Sequence, residues 1–329
     1  MTTSDLAPST TRRGATASLP PYTGVAGLLA LLVIYFSISA DGFLTTGNVN
    51  SLLGDASVTA ILAIGLTPTI ISGGIDLSVA SNALLCAVVA VWTAEHVGTF
   101  AAVVAAIAVG SLIGAINGVL IARFGLNPFV VTLAALQVWR GFSRLLVDDT
   151  TQSMSTFTFS SFTSWSVGPV NAPIVLTLLL AVAATWLLRR TYFGRNVYAI
   201  GGNEKAARIA GLPVERSTIL VYVWSGMCAG IASLLLVGFN ADSVSPTVLS
   251  GAELTVAAAV LLGGTSLIGG AGTITGSVIA ALFFSVLSKG LNLNGVTASY
   301  WQLIVTGVLL VVAIVIDRAR AKRNPARTV

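Results

Sequence analysis

The chain has 329 residues, of which 55% are hydrophobic and 9% charged, with a net charge of +5. Soluble domains carry about 25% charged residues, so this one has too few to cover a water-facing outside, and much of its surface must face lipid. No basic face for nucleic acid can form within apolar spans. With His96 as the sole histidine there is no material for a His-based metal site or a catalytic triad. Cys86 and Cys228 both lie in apolar segments and read as buried thiols rather than a disulfide.

Residues 1–21 are polar, rich in Ser, Thr and Pro, and read as a disordered cytoplasmic tail. The apolar run after them has no clear cleavage site and is taken as a retained first helix, from about Tyr22 to Ala40. Further spans follow at about Leu52 to Ile71, Leu77 to Thr93, Thr99 to Ala122 and Pro128 to Val147. A polar stretch from Asp148 to Ala172 precedes a sixth span, Pro173 to Leu188. The longest charged segment, Arg189 to Arg216, leads to a seventh span, Ser217 to Phe239. After a polar link come an eighth, Ala252 to Leu267, a ninth, Thr273 to Leu291, and a tenth, Tyr300 to Ile316. The expected fold is an all-α membrane protein of about ten transmembrane helices. Its permease domain covers 22–316, with a cytoplasmic loop at 189–216 and a basic tail at 317–329.

Lys and Arg in short loops set the orientation. Arg12, Arg13, Arg123, the six cations from Arg189 to Arg216 and the C-terminal cations fall on one side if ten spans begin from a cytoplasmic N-terminus. Asp41, Glu95, Asp148, Asp149, Asp242 and Glu253 then lie outside, and only Arg140, Arg144 and Lys289 stray toward that half. Arg140 and Arg144 have Asp148 or Asp149, or the lipid headgroups, as candidate partners.

Within the charged segment, Asn203 to Pro213 reads as a short helix about 10 Å long. Asn203 is a good N-cap, Glu204 suits the first turn, Gly211 suits the position after the end, and Pro213 blocks continuation. Ala206, Ala207 and Ala210 offer a small, smooth surface, and Lys205, Arg208 and Leu212 complete the segment. It is either a docking element for a cytoplasmic partner or a solvated loop. Gly73 and Gly74 break the chain between the second and third spans. Beside them Asp76 either lines a passage or, with Ser78, caps the third helix at the cytoplasmic surface, which is the preferred reading. A similar string, Gly263-Gly264 through Gly269-Gly270, follows the eighth span; it is either an internal repeat of the kind transporters use or a reflection of the 33 glycines in the chain. Asn117, Gln137, Asn292 and Gln302 fall inside predicted spans, where such amides either line a passage or bond between helices. No G-x-x-x-x-G-K-[ST] string occurs, so any nucleotide-derived energy must come from another chain.

Several strings together resemble the permease subunits of bacterial ABC importers for ribose and other monosaccharides. They are Gly73-Gly74-Ile75-Asp76-Leu77-Ser78, Asn127-Pro128-Phe129-Val130-Val131-Thr132-Leu133 with Arg140-Gly141, Phe193 to Asn203, Ala206-Ala207, Ala210-Gly211, and Gly263 to Gly270. The resemblance runs from about Leu44 to Asp317. It implies a pair of permease subunits, identical or paralogous, in the bacterial plasma membrane. A cytoplasmic ABC ATPase pair would hold ATP and Mg beneath them, and a sugar-binding protein would dock outside. This chain would carry no cofactor and no catalytic residue. The helix at 204–212 would be the element that meets the ATPase. The chain departs from the family pattern at Ala80, at Lys289, and at Val256-Ala257-Ala258. Rival readings are an ABC permease for another solute such as branched-chain amino acids, an ion-coupled carrier, and a membrane enzyme; missing catalytic clusters argue against the last.

Overall fold

The computed structural model describes residues 20, 22–155, 158–168, 170–295 and 299–323. Five long helices come first: α1 (Thr23–Ser39), α2 (Thr46–Ile71), α3 (Val79–His96), α4 (Thr99–Ala122) and α5 (Pro128–Leu146). A small cap follows, made of β1 (Gln152–Ser153), α6 (Phe159–Ser164), β2 (Ser166–Val167) and β3 (Val170–Asn171). Then come α7 (Ala172–Arg190), α8 (Tyr192–Gly202), α9 (Glu204–Ile209), α10 (Val214–Phe239), β4 (Ser243–Val244), α11 (Ala252–Leu262), α12 (Ile274–Leu293) and α13 (Ser299–Arg323). β1 pairs antiparallel with β4, and β2 with β3. Among the described residues seven helices, α2, α3, α4, α5, α7, α10 and α12, are long and apolar enough to cross a membrane. α1, α11 and residues 304–315 of α13 are shorter apolar helical stretches.

Helix starts follow local chemistry. Asn127 accepts from the Phe129 N–H with Pro128 in the first turn, Asn171 accepts from Ile174 N–H, and Thr273 accepts from Gly276 N–H. Pro68 sits inside α2, where its missing N–H frees the Ile64 carbonyl. The Trp224 indole N–H of α10 donates to that carbonyl at 3.3 Å, so the polar group is not orphaned.

Apolar burial gives little drive for helix association in lipid, so close backbone approach matters more. α4 meets α10 along a seam of small residues. A Cβ on Gly110 would lie 2.3 Å from the Gly226 carbonyl, and one on Gly114 2.1 Å from the Tyr222 carbonyl. The buried centre beside this seam is carried by α2, through Ile61, Leu62, Ile64, Leu66, Ile70 and Ile71. Cys86 and Cys228 are both free and buried, as expected.

Several expected boundaries are corrected. The eighth span ends at Leu262, because Gly263 and Gly264 (φ +92°) turn the chain before the apolar Leu267 and Ile268. α11 is thus about 16 Å long. Helix α2 begins at Thr46, not Leu52, and α13 runs on as far as Arg323, not Ile316. The polar stretch from Asp148 holds an ordered helix: the buried Asp242 carboxylate accepts the N–H groups of Thr158, Phe159 and Ser160 and the Ser160 hydroxyl, fixing α6. The segment from Arg189 is mostly helical rather than a loop around one short helix, since it holds the end of α7, all of α8 and α9, and the start of α10. Residues 1–19 and 21 of the expected N-terminal tail, residues 324–329 of the basic tail, and the Gln302 side chain lie outside the described residues.

Candidate functional site: a capped helix seated on a glycine junction

α7 ends at Arg190, and Thr191 starts α8 by accepting from Gly194 N–H at 3.3 Å. One face of α8 buries Val197 and Ile200. Asn203 then opens α9: its side-chain oxygen accepts from Ala206 N–H at 3.0 Å, as its position in the sequence predicted. Glu204 and Arg208 pair across one turn at 2.9 Å on the exposed side. The helix closes with Ala210 as C-cap and Gly211 at φ +76°, and Leu212 N–H returns to the Ala207 carbonyl at 3.0 Å. A terminus held at both ends in this way keeps a two-turn helix formed that would be marginal alone.

The exposed face differs from the expected one. Ala206 and Ala210 are exposed, but Ala207, one residue on and so about 100° around the helix, points inward. It is 5% exposed and packs with Ile200, Val214 and Leu212. Ala207 therefore anchors α9 rather than presenting a surface. The residue that sequence reasoning missed is Ile209, 89% exposed at the end of α9. An aliphatic side chain so uncovered, on a helix otherwise ringed by charge, is the kind that fills a partner's pocket. Its signal was the lone large apolar residue among Glu204, Lys205 and Arg208. α8 was also missed, although Phe193, Val197 and Ile200 fall at helical spacing.

α8 does not rest on side chains alone. Gly201 is pressed so closely onto the core that a Cβ there would lie 1.7 Å from the Ile71 carbonyl and 2.6 Å from the Gly270 nitrogen. The Gly270 N–H donates to the same Ile71 carbonyl at 2.8 Å. The Tyr198 hydroxyl donates to the Gly272 carbonyl at 2.9 Å. The two glycine strings that look alike in sequence, at Gly73-Gly74 and at Gly263 to Gly270, thus meet at the C-terminal end of α8. Gly73 approaches Gly269, and Gly263 packs directly on Gly276 at the start of α12. α8, which leads directly into α9, thus touches the end of α2 and the approach to α12 through backbone contacts.

Asp76 is 1% exposed, so the expectation of a surface cap is corrected. It does cap α3 locally, accepting from Ser78 N–H and the Ser78 hydroxyl at 3.0 and 2.6 Å. Its other oxygen accepts from the Ser225 hydroxyl of α10 at 2.7 Å, and Asn117 of α4 donates to the Ser78 hydroxyl at 2.9 Å. Two of these four hydrogen bonds tie the α2–α3 break to α4 and α10, and the Tyr222 hydroxyl adds a third tie, to the Ile75 carbonyl at 3.1 Å. Packing of α10 over the break buries a carboxylate that local sequence placed at a surface. Asn117 joins helices. Gln137 and Asn292 are exposed on this single chain and join no common site. A cleft of about 390 Å³ opens between α9 and the α4–α5 link, with Gly73, Asn127, Glu204, Arg208 and Tyr222 on its walls.

At the other end, the three cations that broke the charge asymmetry all carry carboxylates. Arg140 pairs with Glu253 at 3.1 Å, Arg144 with Asp149 at 3.6 Å, and Lys289 with Asp55 at 3.0 Å. The Arg144 pair matches expectation, whereas Arg140 crosses to α11.

A family model described as branched-chain amino acid transport system / permease component matches residues 48–314. The chain is 38% identical over 300 residues to the ribose import permease protein of Escherichia coli (strain K12), covering 89% of this chain and 93% of the relative. It is 38% identical over 312 residues to the ribose import permease protein of Bacillus subtilis (strain 168), covering 94% and 95%. It is 35% identical over 298 residues to the D-allose transport system permease protein of Escherichia coli (strain K12), covering 90% and 91%. No solved structure matches the chain.

Proposed function

The chain belongs to the branched-chain amino acid transport system / permease component family and is a multi-pass protein of the plasma membrane, and from that premise we propose that it is the membrane-spanning subunit of an ATP-driven importer for a ribose-like monosaccharide. The family description names branched-chain amino acids, but relatives named for ribose and D-allose, matched over nearly their whole length, support the sugar reading. In this reading ten apolar helices cross the bilayer with both termini in the cytoplasm. The cations of α7–α9 then lie inside, and the three outer cations are neutralised by their carboxylate partners. A second permease subunit stands beside it, and an extracytoplasmic binding protein delivers the sugar.

The observation that carries the proposal is Ile209, uncovered on a helix capped at both ends. Such a helix suits a groove on a cytoplasmic ATPase. Nucleotide-driven closure of that partner would push α9, and α8 would pass the push through Gly201 to the ends of α2 and α12. Transport is then a population shift between outward and inward openings, driven by the partner's preference for one of them. The test is co-purification with the cognate ATPase and ATP-dependent uptake of labelled ribose in proteoliposomes containing the binding protein. Ile209→Asp should abolish both while leaving the permease folded. An Ile209→Asp variant that captures ATPase and transports like the parent sinks the reading.

A further inference from the structure

A groove of about 640 Å³ runs between α7 and α12 on the outer surface of the helix bundle, distinct from the cleft beside α9. Its walls are apolar, from Leu178, Val182, Val278 and Ile279, and one end is cationic, from Arg189 and Arg190. Both arginines are exposed, and among the described residues neither has a carboxylate partner. No acidic residue lines the groove. Thr275, in the first turn of α12, lines it too, so the positive end of that helix dipole adds to the charge of the arginines.

The dimensions match one membrane leaflet. Leu178 to Arg190 on α7 covers about 18 Å of helix, against about 15 Å for half of a hydrocarbon core. Trp186, one turn before Arg190 and 62% exposed, marks the depth at which tryptophan prefers to sit between chains and headgroups. α7 turns Ala184 and Leu188 inward and leaves Val182 68% exposed on the groove side. A chain-length apolar slot ending in two unpaired guanidinium groups at the bilayer surface has the chemistry of a lipid with a phosphate-bearing, negatively charged headgroup.

We propose that this groove is a binding site for an anionic glycerophospholipid, with its phosphate held by Arg189 and Arg190 and an acyl chain lying between α7 and α12. The site rests on the chain's being a membrane protein and is independent of which solute it carries. The test is native mass spectrometry of the detergent-purified protein with phosphatidylglycerol or phosphatidylcholine added at equal concentration. The parent should retain phosphatidylglycerol preferentially. Arg189→Gln and Arg190→Gln should each lower that preference about fivefold, and the double variant about thirtyfold. Arg189→Lys with Arg190→Lys should keep most of it, and Arg123→Gln, remote from the groove, should keep all of it. An undiminished preference in the double Gln variant overturns the proposal. So does disulfide cross-linking of two copies through Val182→Cys, which would make the groove a contact between subunits.

Discussion

Replacing Gly201 by alanine puts the glycine junction under direct load. The added methyl would begin 1.7 Å from the Ile71 carbonyl oxygen and 2.6 Å from the Gly270 nitrogen. Ordinary contact needs about 3.5 Å, so α8 must retreat by roughly 1.5–2 Å or the α2 terminus must give way. Neither neighbour is a flexible side chain. Overpacking of this kind costs about 1–3 kcal/mol. Weakening the 2.8 Å bond from Gly270 N–H to Ile71 adds about 0.5–1.5 kcal/mol. The combined loss is about 2–4 kcal/mol, localised where α8 carries α9. Gly202→Ala is the control, because a Cβ there meets nothing within 4 Å. Thermal unfolding in detergent and ATP-dependent uptake, measured on both variants, should show Gly201→Ala destabilised and slow and Gly202→Ala close to the parent. Equal melting and equal uptake for the two would refute the claim that close backbone contact at this junction links α9 to the membrane helices.

Asn203→Ala removes the bond to Ala206 N–H and should cost α9 about 1 kcal/mol, read as faster hydrogen exchange at Ala206 and weaker ATPase capture. Ser225→Ala strips one Asp76 oxygen of its hydroxyl partner and should lower stability by about 1–3 kcal/mol in a thermal melt. Glu253→Gln weakens the 3.1 Å pair to Arg140, whose buried Nε has no partner among the described residues, and should likewise cost about 1–3 kcal/mol by the same measure. Gly110→Val should fail to assemble a stable bundle, since its side chain would enter the Gly226 carbonyl across the α4–α10 seam, whereas Gly141→Ala, which meets nothing within 4 Å, should express normally.

What the sequence reveals divides by range. The α9 helix was legible because every signal for it is local: Asn203, Glu204, Gly211 and Pro213 lie within one short segment. The long spans were legible because apolar length is summed along the chain. α11 was read too long for the same reason: Leu267 and Ile268 keep the hydropathy high past two glycines that turn the backbone. The burial of Asp76 was not legible, because Ser225, its partner on α10, stands 149 residues away. The Arg140–Glu253 pair spans 113 residues and was equally hidden. Ala207 was read as surface because its covering residues, Ile200, Leu212 and Val214, belong to the flanking segments. Gly201 was visible only as part of a family string; its reason for being glycine is the Ile71 carbonyl on another helix.

The most direct test of the account is sugar uptake in proteoliposomes holding the permease, with and without its ATPase and ATP, under an imposed proton or sodium gradient. Uptake of ribose that needs both ATPase and ATP, ignores the gradient and disappears with Ile209→Asp is the predicted result. Uptake at full rate by the permease alone, driven by the gradient, would contradict it.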